Sequence, residues 1–310
     1  MNKVKIYFIL GPTAVGKTEY AIRLAKELGT DIISCDSRQV YKDMDIGTAK
    51  PSLKQQAEVR HHLIDLVPPN EKYTVYDYIK DAEKEVEQCE IYRRVPLFVG
   101  GTPLYAKLLI AGIFEMPPVP KEIEDKVAAL TKDEVIAEIE KCDRETFASV
   151  PTNDEMRYRR ALTVFYTTGQ TIGELRKNTK PSGFEPHYII LTRDREELYR
   201  FVDNRVDIML NFGLVDEVQH VVKEYFGGLQ EVFSGQSKAL LSIGYEEILK
   251  YFAGEYELDD AIELIKRNTR RFAKRQITFF KKFPNAVWLN LTGKSDDEIL
   301  GFLREQVNWL

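Results

Sequence analysis

The first hundred residues alternate between short apolar runs and longer amphipathic stretches. Apolar runs at 4–10, 31–35 and 95–99 have the length of buried strands. Between them, the stretches 19–28 and 76–92 carry apolar residues three and four positions apart, which is the period of a helix with one buried face. Strands separated by helices indicate a parallel sheet, so the pattern predicts an α/β fold.

The pattern changes after Met116. The segment 117–120, with three prolines, is a stiff connection. The residues after it show helical periods only, at 122–130, 132–141, 153–168 and 171–177, until a strand pattern returns at 188–192. We therefore predict a discontinuous core of residues 1–116 and 184–310, interrupted by an all-helical insertion domain of residues 117–183.

The last third of the chain predicts helices at 195–212, 214–226 and 261–282. We expect Ile265, Phe272, Gln276 and Phe279 to form the packing stripe of the third of these helices. Eight of its other positions are basic, and no acidic residue occurs from Leu264 to Lys294. These cations are Lys266, Arg267, Arg270, Arg271, Lys274, Arg275, Lys281 and Lys282. A stripe of one sign with interspersed aromatic residues suits a polyanion.

Composition describes an ordinary globular chain. It has 310 residues, of which 44% are hydrophobic and 30% are charged, and its formal net charge is −5. No apolar run approaches the ~18 residues of a membrane span, so we expect no membrane association. Three scattered cysteines and an N-terminus that leads straight into a strand predict a reduced, cytoplasmic protein without a signal peptide.

The stretch GPTAVGKT follows the first predicted strand and precedes the first predicted helix. This is the strand–GxxxxGK[ST]–helix pattern of a P-loop, which predicts a P-loop NTPase-like parallel sheet flanked by helices. Its residues are expected to bind a di- or triphosphate through backbone N–H groups and the lysine, with Mg²⁺ held at the threonine hydroxyl. They are Gly11, Pro12, Thr13, Ala14, Val15, Gly16, Lys17 and Thr18.

Two further candidates follow the neighbouring predicted strands. Asp36 comes after 31–35, and Thr102 comes after 95–99 and the pair Gly100-Gly101. Ligands of open α/β sheets bind at the carboxyl ends of the strands, so both side chains are expected beside the phosphate site. A turn or capping role remains open for each of them.

Two classes of enzyme fit a P-loop of this kind. A small-molecule or nucleotide kinase accounts for the P-loop but leaves the basic helix and the helical insertion unexplained. A transferase with a phosphate leaving group and a nucleic-acid acceptor accounts for all three, including the basic patch Arg157–Arg160 in the insertion. A non-catalytic nucleic-acid-binding module leaves the P-loop unexplained.

The chain resembles the tRNA dimethylallyltransferases, and it is most similar to their bacterial form. The resemblance rests on blocks that occur in family order across nearly the whole chain. They are GPTAVGKT at 11–18, DSRQVYKDMDIGTAKP at 36–51, HHLIDL at 61–66, VGGTPLYAKLL at 99–109, RRALTVFYTTGQTIGEL at 159–175, GLVDEV at 213–218, SIGYEE at 242–247 and RRFAKRQITFFKKF at 270–283.

The resemblance implies transfer of the dimethylallyl group of dimethylallyl diphosphate to N6 of adenosine 37 of tRNA, with release of diphosphate. It assigns Asp36 as general base, Thr102 to the reaction centre and Arg205 to the diphosphate, and it places Mg²⁺ near Thr18. The tRNA anticodon stem-loop is then expected to contact Ser37, Arg38, Gln39, Arg157, Arg159, Arg160, Arg270, Arg271, Lys274 and Arg275.

Two other readings stay open at this point. An adenylate isopentenyltransferase shares the P-loop and the prenyl chemistry but acts on free adenine nucleotides, and a P-loop kinase is less favoured. We expect the protein to act as a monomer.

Overall fold

The computed structural model describes residues 3–236 and 239–307. The chain divides into two compact units. The first, called the core unit below, comprises Met1–Ile110 and Gly183–Leu310, and the second, the helical unit, comprises Ala111–Ser182.

The core unit is built on a parallel sheet in the order β3-β2-β4-β1-β5-β6. Strand β1 lies inside the sheet, so the loop that follows it opens at the middle of the carboxyl edge. In the described part of the chain the strands are β1 (Val4–Leu10), β2 (Ile32–Ser34), β3 (His61–His62), β4 (Leu97–Gly100), β5 (Phe184–Thr192) and β6 (Val287–Asn290).

In the core unit, helices connect and cover these strands, and further helices make up the helical unit. Together they are α1 (Lys17–Leu28), α2 (Leu53–Glu58), α3 (Val75–Ile91), α4 (Pro103–Ala111), α5 (Lys121–Ala129), α6 (Lys132–Cys142), α7 (Arg144–Ser149), α8 (Glu155–Thr168), α9 (Ile172–Lys177), α10 (Arg195–Asn211), α11 (Leu214–Phe226), α12 (Leu229–Glu231), α13 (Tyr245–Phe252), α14 (Leu258–Phe280) and α15 (Asp296–Gln306), with a π-helical turn at Val232–Gln236. None of the described helices combines the length and apolarity that crossing a bilayer requires.

The predicted fold class is confirmed, whereas several element bounds were wrong. Helix α1 begins at Lys17 instead of Glu19, and α14 begins at Leu258 instead of Ala261. Strand β5 begins four residues before the predicted Tyr188 because its first half pairs with β1 from Val4 onward. Strand β6, with four residues, and helix α7, with six, are too short to show a period, and they were not predicted.

The two faces of the sheet bury alternate residues, as the two-residue period of a strand requires. Tyr7 and Ile9 belong to a cluster that packs against α1 and α15. On the opposite face the ring of Phe8 stacks on Phe98 and Tyr188, with ring centroids 5.0 and 5.1 Å apart. Helices therefore cover both faces and leave the carboxyl edge of the sheet for a ligand.

A second cluster of the core unit joins α10, α11, α13 and α14 around the fully buried Tyr245. The segment after β2 contributes Val40, Tyr41 and Met44 to this cluster. The long loop after β2 is therefore anchored by apolar side chains, although its sequence shows no periodic pattern.

The helical unit has a hydrophobic core of its own, centred on Tyr158 with Val135, Ile139 and Leu162. The hydroxyl of Tyr158 donates to the carbonyl of Val150 at 2.8 Å. Tyr158, which lies within the predicted basic patch Arg157–Arg160, is thus a core residue. All residues of this unit are described, and its regular elements are helices.

Candidate active site

The loop between β1 and α1 has the geometry of a phosphate-binding loop. Gly11 lies so close to β5 that a Cβ atom there would stand 2.5 Å from the carbonyl oxygen of Leu191. Ala14 and Gly16 have φ angles of 63° and 102°, and left-handed residues of this kind turn neighbouring N–H groups toward one side. Helix α1 then begins at Lys17 without a side-chain cap, so its first N–H groups can receive an anion.

The other loop residues divide between the core and the cavity described below. Pro12 and Val15 are buried, and Val15 packs in the core beneath the loop. Thr13, Lys17 and Thr18 line the cavity. The motif therefore presents two hydroxyl groups and one ammonium group to a ligand.

Lys17 and Arg205 form a pair of desolvated cations. The Nζ atom of Lys17 donates to the carbonyl oxygens of Gly11 at 3.0 Å and Pro12 at 2.8 Å. Burial and the nearby Arg205 lower the pKa of Lys17 to about 7, against the opposing effect of Asp36. Burial also lowers the pKa of Arg205 to about 10. A bound anion would relieve this cost, so the pair is suited to a phosphate group.

Asp36 is held at the start of the loop after β2. Its Oδ1 atom accepts the backbone N–H of Arg38 at 2.8 Å and that of Gln39 at 3.4 Å. This is the turn role that the sequence left open, and it coexists with a place in the cavity wall. The turn fixes the position of the carboxylate relative to Lys17 and Arg205.

Thr102 connects the carboxyl ends of β4 and β2. Its Oγ1 atom accepts the N–H of Ser37 at 3.0 Å, and its own N–H donates to the carbonyl of Cys35 at 3.1 Å. The strands approach closely here, since a Cβ atom on Gly100 would lie 2.0 Å from the Cys35 oxygen. Thr102 thus lines the cavity and also positions the Asp36–Ser37 turn.

Gln276 of α14, which was predicted only to pack, is a buried side chain that connects two loops, and this connection is called the brace. Its Oε1 atom accepts the N–H of Thr13 at 2.9 Å, and its Nε2 atom donates to the carbonyl of Gly101 at 2.6 Å. The P-loop and the turn after β4 are therefore joined through one side chain. A polar residue on a predicted apolar stripe is the signal that indicates such a role.

Arg193, in the turn after β5, is a second residue that the sequence did not single out. Its Nε atom donates to the carbonyl of Val15 at 3.1 Å, and its guanidinium pairs with Glu197 and lies over the ring of Phe201. Arg193 therefore stabilises the P-loop by a hydrogen bond to its backbone at Val15.

These groups converge on one cavity of about 400 Å³ in the core unit. One wall is apolar, and sequence reasoning missed it because its residues come from α10, α14 and the segment before α13. The apolar residues are Val202, Val206, Met209, Leu241, Ile243, Ile265 and Phe272. The polar ones include Thr13, Lys17, Thr18, Asp36, Ser37, Arg38, Gln39, Thr102, Arg205 and Gln276.

Phe272 corrects the predicted packing stripe of α14. It is 38% exposed and lines the cavity instead of being buried. The buried positions of the helix are Ala261, Ile265, Ala273, Gln276 and Phe280.

The predicted cations of α14 differ in their surroundings. Arg271, Lys274 and Arg275 are exposed, and Arg275 also lines the cavity. Arg270 instead pairs with Asp203 of α10, and Lys266 pairs with Asp207 at 2.7 Å. The acid-free stretch of sequence therefore receives acidic partners from another helix.

The three residues after Asp36 also differ in their contacts. All three line the cavity, and the side chain of Gln39 is in addition hydrogen-bonded within the fold. Its Oε1 atom accepts from the hydroxyl of Ser34 at 3.1 Å and its Nε2 atom donates to the carbonyl of Ala49 at 3.2 Å.

In the helical unit, Arg157 and Arg160 are exposed at the start of α8. The guanidinium of Arg159 is half-buried and bonds to the carbonyl oxygens of Val127 and Leu130 and to Glu155. Arg159 therefore has a structural role that the sequence did not indicate.

Comparison with protein families gives two matches. The family model described as IPP transferase matches residues 39–283, and the model described as isopentenyl transferase matches residues 4–66. Together they span the P-loop, the Asp36 loop, the helical unit and all of α14.

Individual proteins match nearly the full length of this chain. A tRNA dimethylallyltransferase of Thermotoga neapolitana is 41% identical over 308 residues, covering 98% of both chains. The crystal structure of a tRNA isopentenylpyrophosphate transferase of Bacillus halodurans superposes with a TM-score of 0.71 at 33% identity, over 98% of this chain and 97% of that one. A eukaryotic dimethylallyltransferase acting on tRNA reaches a TM-score of 0.84 at 26% identity, over 97% of this chain and 77% of that one.

The family models, the near-complete alignment and the shared fold agree with the P-loop cavity found in the structure. The chain belongs to the tRNA dimethylallyltransferase family of transferases.

Proposed function

We propose that this protein transfers the dimethylallyl group of dimethylallyl diphosphate to N6 of adenosine 37 of tRNA and releases diphosphate. One observation carries the proposal. A single cavity joins a phosphate loop with two cations, Lys17 and Arg205, to a carboxylate, Asp36, that is held by its own turn. The names of the relatives, which act on tRNA, agree with it.

The leaving group is diphosphate, which gains negative charge as the allylic C–O bond breaks. The N–H groups of the P-loop, Lys17 and Arg205 stabilise this charge, and they do so more strongly as it grows. The apolar wall around Val206, Met209 and Phe272 suits the hydrocarbon of the dimethylallyl group and keeps water from the allylic carbon.

The acceptor is the exocyclic amine of adenine, whose lone pair is conjugated with the ring. As the new N–C bond forms, the amine must lose a proton, and Asp36 receives it. Its Oδ1 atom is committed to backbone N–H groups, so we assign the proton to Oδ2. The adenine has to leave its base stack to reach this position.

The site also fits Mg²⁺. The Thr18 hydroxyl, which lines the cavity at the start of α1, is an oxygen ligand of the kind that Mg²⁺ takes together with substrate phosphates and water. When bound, the ion would neutralise part of the diphosphate charge.

We propose that tRNA is held by exposed cations of both units. On α14 these are Arg271, Lys274 and Arg275, and on the helical unit they are Arg157 and Arg160. Arg38, in the cavity wall, is placed for the target nucleotide. Arg159, Arg270 and Gln39 remain predicted contacts, although each is already bonded within the protein.

We further propose that the protein acts as a monomer in the cytoplasm. Light scattering at assay concentrations checks the oligomeric state, and a dimer would contradict this part of the proposal.

The proposal is tested by incubating the protein with undermodified tRNA, dimethylallyl diphosphate and Mg²⁺, followed by mass spectrometry of the nucleosides. We expect prenylated adenosine from tRNA and none when AMP is the acceptor. Product from AMP alone would favour a free-nucleotide transferase.

The variant Asp36→Ala tests the assignment of the base. Loss of a general base lowers the rate by about 10²–10⁴-fold, while tRNA binding, measured separately, should stay nearly unchanged. Unchanged turnover would remove Asp36 from this role.

A further inference from the structure

The loop after β2 carries Asp36 and the residues placed for the target nucleotide, and it is held from outside by one carboxylate. Glu217 of α11 accepts three consecutive backbone N–H groups of this loop. They belong to Asp45 at 2.9 Å, Ile46 at 2.6 Å and Gly47 at 2.9 Å.

Tyr245 of α13 completes the arrangement. Its hydroxyl donates to the Oε1 atom of Glu217 at 2.6 Å, and the ring is fully buried. The ring also lies against Gly47, where a Cβ atom would stand 2.4 Å from it. The Glu217–Tyr245 pair is called the loop clamp below.

Two further side chains, Lys50 and Gln39, connect the clamped segment to the catalytic end of the loop. The Nζ atom of Lys50 donates to the carbonyl of Tyr41 at 2.8 Å and to Asp45 at 2.5 Å. Gln39, three residues after Asp36, is tied to the carbonyl of Ala49. Hydrogen bonds within the loop therefore link the clamped segment 45–47 to the turn 36–39.

The chemistry of the clamp requires an anion. Four donors converge on two carboxylate oxygens, and hydrogen bonds to an ionised acceptor are roughly twice as strong as neutral ones. A glutamine of the same shape presents one acceptor oxygen and an NH₂ group that faces N–H donors. Glu217→Gln therefore does more than remove hydrogen bonds, because it also places an NH₂ group against the backbone N–H groups of the loop.

We propose that Glu217, with Tyr245, is a positioning residue that sets the place of Asp36 and of the target nucleotide in the transfer reaction. The inference rests on the proposed function and adds to it a residue that touches neither substrate. The diphosphate side of the cavity, built on the P-loop and Arg205, is held by other contacts.

The test compares Glu217→Gln with the wild type in two measurements. Turnover with tRNA at saturating substrates should fall by about 10- to 100-fold, because small displacements of a catalytic group have effects of this size. The dissociation constant of inorganic diphosphate should stay unchanged. Tyr245→Phe, which removes one of the four bonds, should lower turnover by about 2- to 10-fold.

Glu224→Gln is the matched control, since Glu224 lies exposed on the same helix. It should leave both measurements unchanged. If Glu217→Gln does not fold, Tyr245→Phe still gives the same separation of turnover from diphosphate binding.

Two outcomes overturn the inference. One is unchanged turnover of Glu217→Gln. The other is a loss of diphosphate affinity in both clamp variants that is as large as their loss of turnover, because such a result indicates general destabilisation. Both require a wild type that prenylates tRNA, and a wild type that does not do so refutes the proposed function instead.

Discussion

Lys17 is placed so that ligand binding controls its charge. Its ammonium group donates to the carbonyl oxygens of Gly11 and Pro12, and Arg205 lies near enough to oppose its protonation. The site therefore holds less positive charge when empty than its residue types suggest. A diphosphate brings the opposite charge and restores the proton.

This coupling predicts a pH dependence of binding. In the free protein the pKa of Lys17 is lowered to about 7, and a bound anion raises it. Below pH 7 the lysine is already protonated and contributes no dependence. Above pH 7 binding takes up a proton, so the dissociation constant should rise by up to about tenfold per pH unit until the pKa of the complex is reached.

Calorimetry of inorganic diphosphate binding in buffers of different ionisation enthalpy measures this proton uptake, with the titration of the ligand itself subtracted. Lys17→Arg is the control, because arginine stays charged throughout this range. An uptake that is equal in both proteins would contradict the assignment to Lys17.

At the scale of elements, the two faces of α14 contribute to different parts of the site. Its buried face places Gln276 between the P-loop and the turn after β4, and its exposed face presents Arg271, Lys274 and Arg275. A single rigid helix thus links the phosphate site to the proposed tRNA surface. Each face leads to a separate prediction.

Gln276→Leu should destabilise the core unit. It leaves the N–H of Thr13 and the carbonyl of Gly101 without their present partner, and an unsatisfied buried group costs about 1–3 kcal/mol. Denaturant unfolding measures the loss. Gln88→Leu, at an exposed position of α3, is the matched control, and an equal effect of both changes would refute the brace.

Replacing Arg271, Lys274 and Arg275 together by glutamine should weaken tRNA binding. Each lost phosphate contact lowers the slope of log affinity against log salt by about one unit. Binding titrations over a range of salt concentrations measure this slope. Arg270→Gln is the comparison, because its ion pair with Asp203 predicts a loss of stability with a smaller change of slope. An unaltered slope in the triple variant would exclude α14 from the tRNA surface.

At the scale of the whole molecule, the chain contains two units that are stabilised separately. The helical unit has its own core around Tyr158. Its two ends lie side by side, since a Cβ atom on Gly112 would stand 2.2 Å from the carbonyl oxygen of Lys180. A short linker can therefore join Gly112 to Lys180 in place of the residues between them.

Replacing residues 113–179 by a short glycine linker should leave a folded core unit. Because all cavity residues lie outside the replaced segment, binding of inorganic diphosphate should stay unchanged, whereas affinity for tRNA should fall. Circular dichroism, calorimetry and tRNA titration check the three statements. Retained tRNA affinity would mean that the helical unit takes no part in binding.

Local patterns determined much of this protein. The P-loop, the parallel α/β fold and the helical character of the segment after Met116 follow from periods and motifs that span a few residues. The positions of Asp36 and Thr102 at the carboxyl edge followed as well, because parallel strands end on the same side of a sheet. The resemblance in motif order indicated the family that the comparisons later confirmed.

Only the tertiary structure decided which side chains are already committed to partners distant in sequence. Arg270 and Arg159 appear in the sequence as equivalent to Arg271 and Arg160, yet one pairs with Asp203 and the other caps Val127 and Leu130. The brace of Gln276 and the clamp of Glu217 likewise join segments separated by 263 and about 170 residues. Such contacts depend on the packing of whole elements, which no local period encodes.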